Sequence, residues 1–185
     1  MASSVEHYQM PLPAFDAPVR MLIVVSPYYS AIAGELIAGA RATGEAVGAS
    51  VDLIEVPGAL EIPPAIALAA RSGQYDAYVA LGCIIRGETT HYDTVCNDSS
   101  RGLMLLGLEG LAVGNGILTV ENPTQAEVRA DHKGQNKGGG AAAAALHLLA
   151  LSRRYSAQSP RKGSALTPEH DLIRLAGEID GPTQA

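Results

Sequence analysis

Residues 80–98 read ALGCIIRGETTHYDTVCND, and the change of character inside this stretch decides the fold. An apolar run from Tyr78 to Ile85 has the length of a strand and stops at Arg86-Gly87. A short polar turn then brings His91 onto what the pattern predicts as the first turn of a helix. A strand, a tight loop and a helix N-terminus in that order form the usual place for an anion in an α/β protein. Thr90 is expected as the N-cap, with Asp93 completing an acidic variant of the capping box, so the helix is predicted to start at His91. The backbone N–H groups of Gly87, Glu88, Thr89 and Thr90 would then be free to hold a phosphate with His91 beside it. The helix dipole disfavours an imidazolium there, which leaves a neutral ring ready to take a proton. A capped surface helix with an incidental histidine fits the same residues equally well.

Outward from this stretch, strand and helix alternate. Met21–Val25 (MLIVV) is a continuous apolar run, as expected for a strand buried on both faces. Ala31–Val47 follows at helical spacing through Ile32, Leu36, Ile37 and Ala40, with Gly48 as its stop. Ser50–Val56 reads as a second strand. It leads into the proline-rich loop PGALEIPP (57–64) and a helix expected over Ala65–Arg71. The third strand is expected over Tyr75–Ile85 and the helix after it over His91 to Leu108. A fourth strand, Leu111–Val120, precedes a short helix over Thr124–Ala130. DHKGQNKGGG (131–140) reads as a basic glycine-rich loop, and Ala141–Leu151 as an alanine-rich helix. Four such alternations predict a doubly wound parallel sheet with right-handed crossovers.

Residues 1–18, with three prolines at 11, 13 and 18, read as an extended arm or a disordered lead-in. The body is expected over 19–155. Residues 156–185 read as a C-terminal extension, with a short amphipathic segment after Thr167-Pro168. A chain of 185 residues is long enough for one α/β domain with its own core. A net charge of −6 without a long run of one sign argues against nucleic acid as the main partner. The two cysteines, Cys83 and Cys96, sit in apolar surroundings and suit buried thiols better than a disulfide or zinc site. Neither a signal peptide nor a membrane span is indicated, so the cytoplasm is the expected location.

Ligands of an open parallel sheet sit outside the carboxyl ends of the strands. The loops expected there carry Tyr28-Tyr29, Glu61, His91, and then Arg129, Lys133 and Lys137. An aromatic face can stack a planar ring, a carboxylate can accept from hydroxyls, and an arginine beside a helix N-terminus can clamp a phosphate. Each residue also has a plainer role open to it. Tyr28 could cover the sheet edge, Glu61 could cap the next helix, and the lysines and Arg129 could be solvated. Gly138–Gly140 could simply permit a sharp turn, since neither a GxGxxG nor a P-loop pattern is present.

The segments VPGALEIP, GCIIRGETTHYD, NGILTVEN and the NKG of GQNKG, in that order and spacing, resemble the lumazine synthase family over roughly residues 20–154. The resemblance implies a flavodoxin-like three-layer α/β/α sandwich with a four-stranded parallel sheet, and no metal or redox cofactor. It implies condensation of 5-amino-6-(D-ribitylamino)uracil with 3,4-dihydroxy-2-butanone 4-phosphate in riboflavin biosynthesis. By position, Tyr28 is expected to stack on the pyrimidine, and Ala59, Leu60 and Glu61 to bind the ribityl chain and amine. Cys83, Ile84 and Ile85 would read the pyrimidine edge, and Glu88 with Thr89 would form the phosphate turn. His91 matches the proton-transfer residue, Arg129 the phosphate clamp and Lys137 a loop lysine near the pyrimidine. Asn115 stands where many members place a phenylalanine that crosses to the neighbouring subunit, and it offers hydrogen bonds instead of a ring.

The same resemblance implies homopentamers, which in some members build shells, and suggests riboflavin synthase as a partner. Two other functions fit the sequence: a non-catalytic flavin or lumazine binder, and a mainly structural shell protein.

Overall fold

The computed structural model describes residues 10–157. The amphipathic segment expected after Thr167, like most of the C-terminal extension and the first half of the arm, lies outside the described residues. Four strands alternate with helices: β1 (Arg20–Val25), α1 (Ser30–Ala46), β2 (Ser50–Glu55), α2 (Ile62–Ala70), β3 (Ala77–Ile85), α3 (His91–Leu108), β4 (Val113–Val120), α4 (Pro123–Ala130) and α5 (Lys137–Ala157). The strands form one all-parallel sheet in the order β2-β1-β3-β4. This is the expected α/β architecture.

The apolar run of β1 follows from its place in the middle of three layers. Met21, Ile23 and Val25 point to one face, where they pack with Leu36 of α1, Ala126 of α4 and Leu146 of α5. Leu22 and Val24 point to the other, against Ile62 and Ile66 of α2 and Leu103 of α3. Because both faces are covered, every residue of β1 after Arg20 is buried and the period-2 signal disappears. The edge strand β2 keeps an alternating pattern.

Two boundaries differ from expectation for identifiable reasons. Helix α2 begins at Ile62, so Pro63 and Pro64 lie in its first turn, where a missing N–H leaves no bond unmade. Helix α5 begins at Lys137, not Ala141, which makes Gly138–Gly140 helical and not a turn. The loop stops at Asn136, which adopts a positive φ of 46° and caps α5: its Oδ1 accepts from Gly139 N–H at 2.9 Å. Gly138 serves close packing, and Gly139 leaves room for the capping Asn136 side chain. A Cβ on Gly138 would lie 2.1 Å from the carbonyl oxygen of Leu36, so α1 and α5 meet backbone to backbone there.

The end of the arm is fastened to the body by Arg153 of α5. Its guanidinium donates to the carbonyls of Ala17 (3.2 Å) and Pro18 (2.9 Å) and to Asp76 (3.2 Å), and lies over the Phe15 ring at 5.4 Å.

Candidate active site

The strand order reverses between β1 and β3, so the chain leaves these neighbours toward opposite faces and opens a crevice at their carboxyl ends. Ser26 bridges it, with its N–H donating to Leu81 O at 3.0 Å and its hydroxyl to Pro57 O at 3.4 Å. A cleft of about 550 Å³ lies here. Its walls include Tyr28 and Tyr29 after β1, Ala59, Leu60 and Glu61 after β2, and Cys83, Ile84 and Ile85 at the end of β3. Thr89 and His91 complete the mouth. Nine of the sequence-derived residues therefore meet in one cavity: Tyr28, Ala59, Leu60, Glu61, Cys83, Ile84, Ile85, Thr89 and His91. Glu88 is exposed on the turn and does not line it.

Tyr28 is 76% exposed and braced edge-on by Tyr29, with ring centroids 5.1 Å apart, so one face of a phenol is presented to the cleft. Glu61 does not cap α2 with its side chain; its carboxylate lies beside Gly58 and borders the cavity. Burial pushes the Cys83 thiol up to about 11, so it stays protonated near neutral pH and offers a weak donor, not a nucleophile.

The turn before α3 departs from the expected cap. The helix does start at His91, but Thr90 has helical dihedrals (φ −69°, ψ −3°) and its side chain caps nothing. Asp93 turns instead to Arg86, 3.3 Å away. Among the described residues, no acceptor is recorded for the N–H groups of Gly87, Glu88, Thr89 or Thr90. Four free donors beside a helix N-terminus can bind an anion.

Asn115, Arg129 and Lys137 do not join this cleft within the chain. They line a second recess of about 340 Å³ along the open edge of β4 and the start of α5. The expectation of a single cluster fails because α4 and α5 fold back on the α1 face and carry their cations to the β4 edge. Asn115 is engaged with its own strand, its Oδ1 accepting from Ile117 N–H at 3.0 Å. Arg129 donates to Gln125 O at 3.3 Å. Lys133, the other loop lysine, lines neither recess.

Sequence reasoning missed Tyr92 and Val95, which also line the cleft. Their spacing from His91 was a usable signal, since residues 91, 92 and 95 share one helical face. Among the described residues no lysine or arginine lines the cleft, and Glu61 is its carboxylate.

Residues 18–153 match the family model described as 6,7-dimethyl-8-ribityllumazine synthase. The chain is 50% identical over 174 residues to the protein of that name from Jannaschia sp. (strain CCS1), covering 94% of each. It is 56% identical over 137 residues to the one from Novosphingobium aromaticivorans, covering 74% of this chain and 99% of the relative. The Sphingopyxis alaskensis protein of the same name is likewise 56% identical, over 136 residues.

Proposed function

The chain belongs to the 6,7-dimethyl-8-ribityllumazine synthase family and is an enzyme of riboflavin biosynthesis, and we propose that the crevice between β1 and β3 is where its two substrates condense. The observation that carries this assignment is the meeting of Tyr28, Glu61, the donor-rich turn and His91 in one cavity. 5-Amino-6-(D-ribitylamino)uracil stacks on Tyr28, with its ribityl hydroxyls toward Glu61 and the backbone of Ala59 and Leu60. The main chain at Cys83–Ile85 meets the pyrimidine edge. The phosphate of 3,4-dihydroxy-2-butanone 4-phosphate sits on the turn at Gly87–Thr90, with Glu88 and Thr89 as its side-chain neighbours.

The reaction joins two molecules, so holding them in register supplies much of the acceleration. The amine adds to the ketone and water is lost, giving an imine. Phosphate then leaves, and the remaining arm closes onto the second nitrogen with loss of another water. His91, at the mouth of the cleft beside the turn, moves protons between these steps. The turn stabilises the phosphate as negative charge builds on it during departure.

A phosphate dianion is poorly held by a cleft that carries a carboxylate and, among the described residues, no lysine or arginine. The missing cation is Arg129 of a second copy, with Lys137 and Asn115 beside it. The recess on the β4 edge of one subunit faces the cleft of the next, and a ring of five such contacts gives a homopentamer. The enzyme acts in the cytoplasm, and riboflavin synthase, which would consume the product, is a fitting partner.

Mixing the protein with both substrates and following lumazine absorbance tests the activity; no product would leave a binder or a shell protein. Assembly of His91→Ala with Arg129→Ala subunits tests the shared site. Restored turnover in the mixture supports it, and additive loss refutes it. An active monomer by analytical ultracentrifugation would also refute it.

A further inference from the structure

Arg86 follows β3 directly, and its N–H donates to Val120 O at 2.9 Å, so the backbone on that side of the turn is fixed to the end of β4. The guanidinium then reaches three groups. Nε donates to Glu121 just past β4 at 2.8 Å, and Nη1 to Asp93 in the first turn of α3 at 3.3 Å. The plane lies 4.0 Å from the centroid of the Tyr92 ring, which lines the cleft. Glu121 is itself held, its N–H donating to Gln125 Oε1 of α4 at 3.0 Å. Thr90 makes no side-chain cap, so beside the packing of Tyr92 and Val95 on the core, Arg86 supplies the polar tie between the first turn of α3 and the end of the sheet.

We propose that Arg86 is a positioning residue for the phosphate-bearing substrate. By tying β3, α3 and the exit of β4 together, it fixes both ends of the turn at Gly87–Thr90 and so the placement of its four N–H groups. The proposal rests on the assignment of that turn as the phosphate site. Arg86 is not itself the phosphate ligand: two carboxylates already neutralise it, and it does not line the cleft. A planar fork is required to meet two carboxylates while stacking on a ring, which a lysine cannot do.

The test compares wild type with Arg86→Lys, Arg86→Met and a triple variant, Arg86→Met with Asp93→Asn and Glu121→Gln. Folding and assembly are checked by circular dichroism and sedimentation. Steady-state kinetics give KM for each substrate, and calorimetry gives the affinity for inorganic phosphate. Arg86→Met is expected to weaken phosphate binding and raise KM for the butanone phosphate about tenfold, with KM for the pyrimidine nearly unchanged. Arg86→Lys should recover only part of this. The triple variant should stay as weak as Arg86→Met, because the geometry remains lost.

Wild-type phosphate affinity in Arg86→Met overturns the proposal. Recovery in the triple variant also overturns it, since Arg86 would then only shield two negative charges. An equal rise in both KM values would mean general damage and has the same consequence. If Arg86→Met fails to fold, Arg86→Lys decides, with wild-type phosphate binding counting against positioning. If wild type binds phosphate but makes no lumazine, the assigned activity falls and the calorimetry still decides Arg86. If wild type binds no phosphate, both fall.

Discussion

Replacing Gly138 with alanine sets two opposed effects against each other, and the structure determines the sign. Alanine is the better helix former, by at most about 1 kcal/mol at this first-turn position, so propensity alone favours the substitution. The Cβ, however, would stand 2.1 Å from the carbonyl oxygen of Leu36 and 2.8 Å from its carbonyl carbon and Cα. Ordinary contact begins near 3.4 Å, so the helices must part by about 3.4 − 2.1 = 1.3 Å at that point. The obstacle is backbone, and Leu36 is fully buried, so no side chain can swing aside. Parting the helices also loosens Ala40 against Ala142 and Leu146. Overpacking, backbone shifts included, costs about 1–3 kcal/mol, and an obstacle made of backbone puts this site at the upper end, above the propensity gain. The expected net loss is about 2 kcal/mol, or roughly 4–8 °C in Tm for a domain of this size.

Gly140→Ala, in the same helix, is the control. A Cβ there meets nothing within 4 Å, so this variant should gain up to about 1 kcal/mol. Urea and thermal unfolding of both variants at one fixed protein concentration provide the comparison, because an assembling protein changes its apparent stability with concentration. Gly138→Ala equal to or more stable than Gly140→Ala would refute the close-approach reasoning. Since Lys137 opens α5, the destabilised variant should also lose activity through the β4-edge recess.

The remaining expectations concern the site and its charges. His91→Ala should lower kcat by roughly 10²-fold or more, the usual scale for losing a general acid–base, while leaving phosphate-substrate affinity intact; wild-type turnover would remove histidine from the mechanism. Arg129→Ala should instead mainly raise KM for the phosphate substrate, and an unchanged KM would remove it as the clamp. Cys83, its thiol pushed up to about 11 by burial, should react with an alkylating reagent at pH 8 far more slowly in the folded protein than after unfolding, as read by peptide mass spectrometry. Glu35 is held below the ordinary carboxylate range by the side-chain and backbone hydrogen bonds from His132. Its stabilising contribution is therefore complete above the ordinary carboxylate value and is lost as pH falls through the lowered one. Glu35→Gln should flatten the acid limb of a urea-midpoint profile, and an unaltered limb would refute the contribution.

Much of the fold was legible because its signals are local. The MLIVV run of β1 reports burial on two faces, and Gly48, at φ 75°, ends the first helix region as its sequence position suggests. The start of α3 at His91 was also legible. The capping pattern marked the boundary and Thr90 does hold the N-cap position, but its side chain accepts no N–H, and Asp93 pairs instead with Arg86, seven positions away, in a geometry that depends on where the strand ends. Gly138–Gly140 misled in the opposite direction. Their flexibility suggests a turn, but at Gly138 the lack of a Cβ is what the α1 contact needs, and that contact joins residues about one hundred positions apart.

The sequence by itself determined the strand–helix alternation, the cleft residues from Tyr28 to His91, and the family, because hydrophobic runs, turn residues and motif order are carried by the chain alone. Only the tertiary structure decided which of these residues share a cavity. Tyr28, Glu61 and His91 meet because the sheet reverses its order between β1 and β3, while Arg129 and Lys137 are carried away by helices packed on the opposite face. Among the described residues, that separation leaves the cleft without a lysine or arginine. Linear spacing encodes which side chains exist and roughly what elements they ride on, but the side of a sheet to which an element returns is set by packing, and packing is not local.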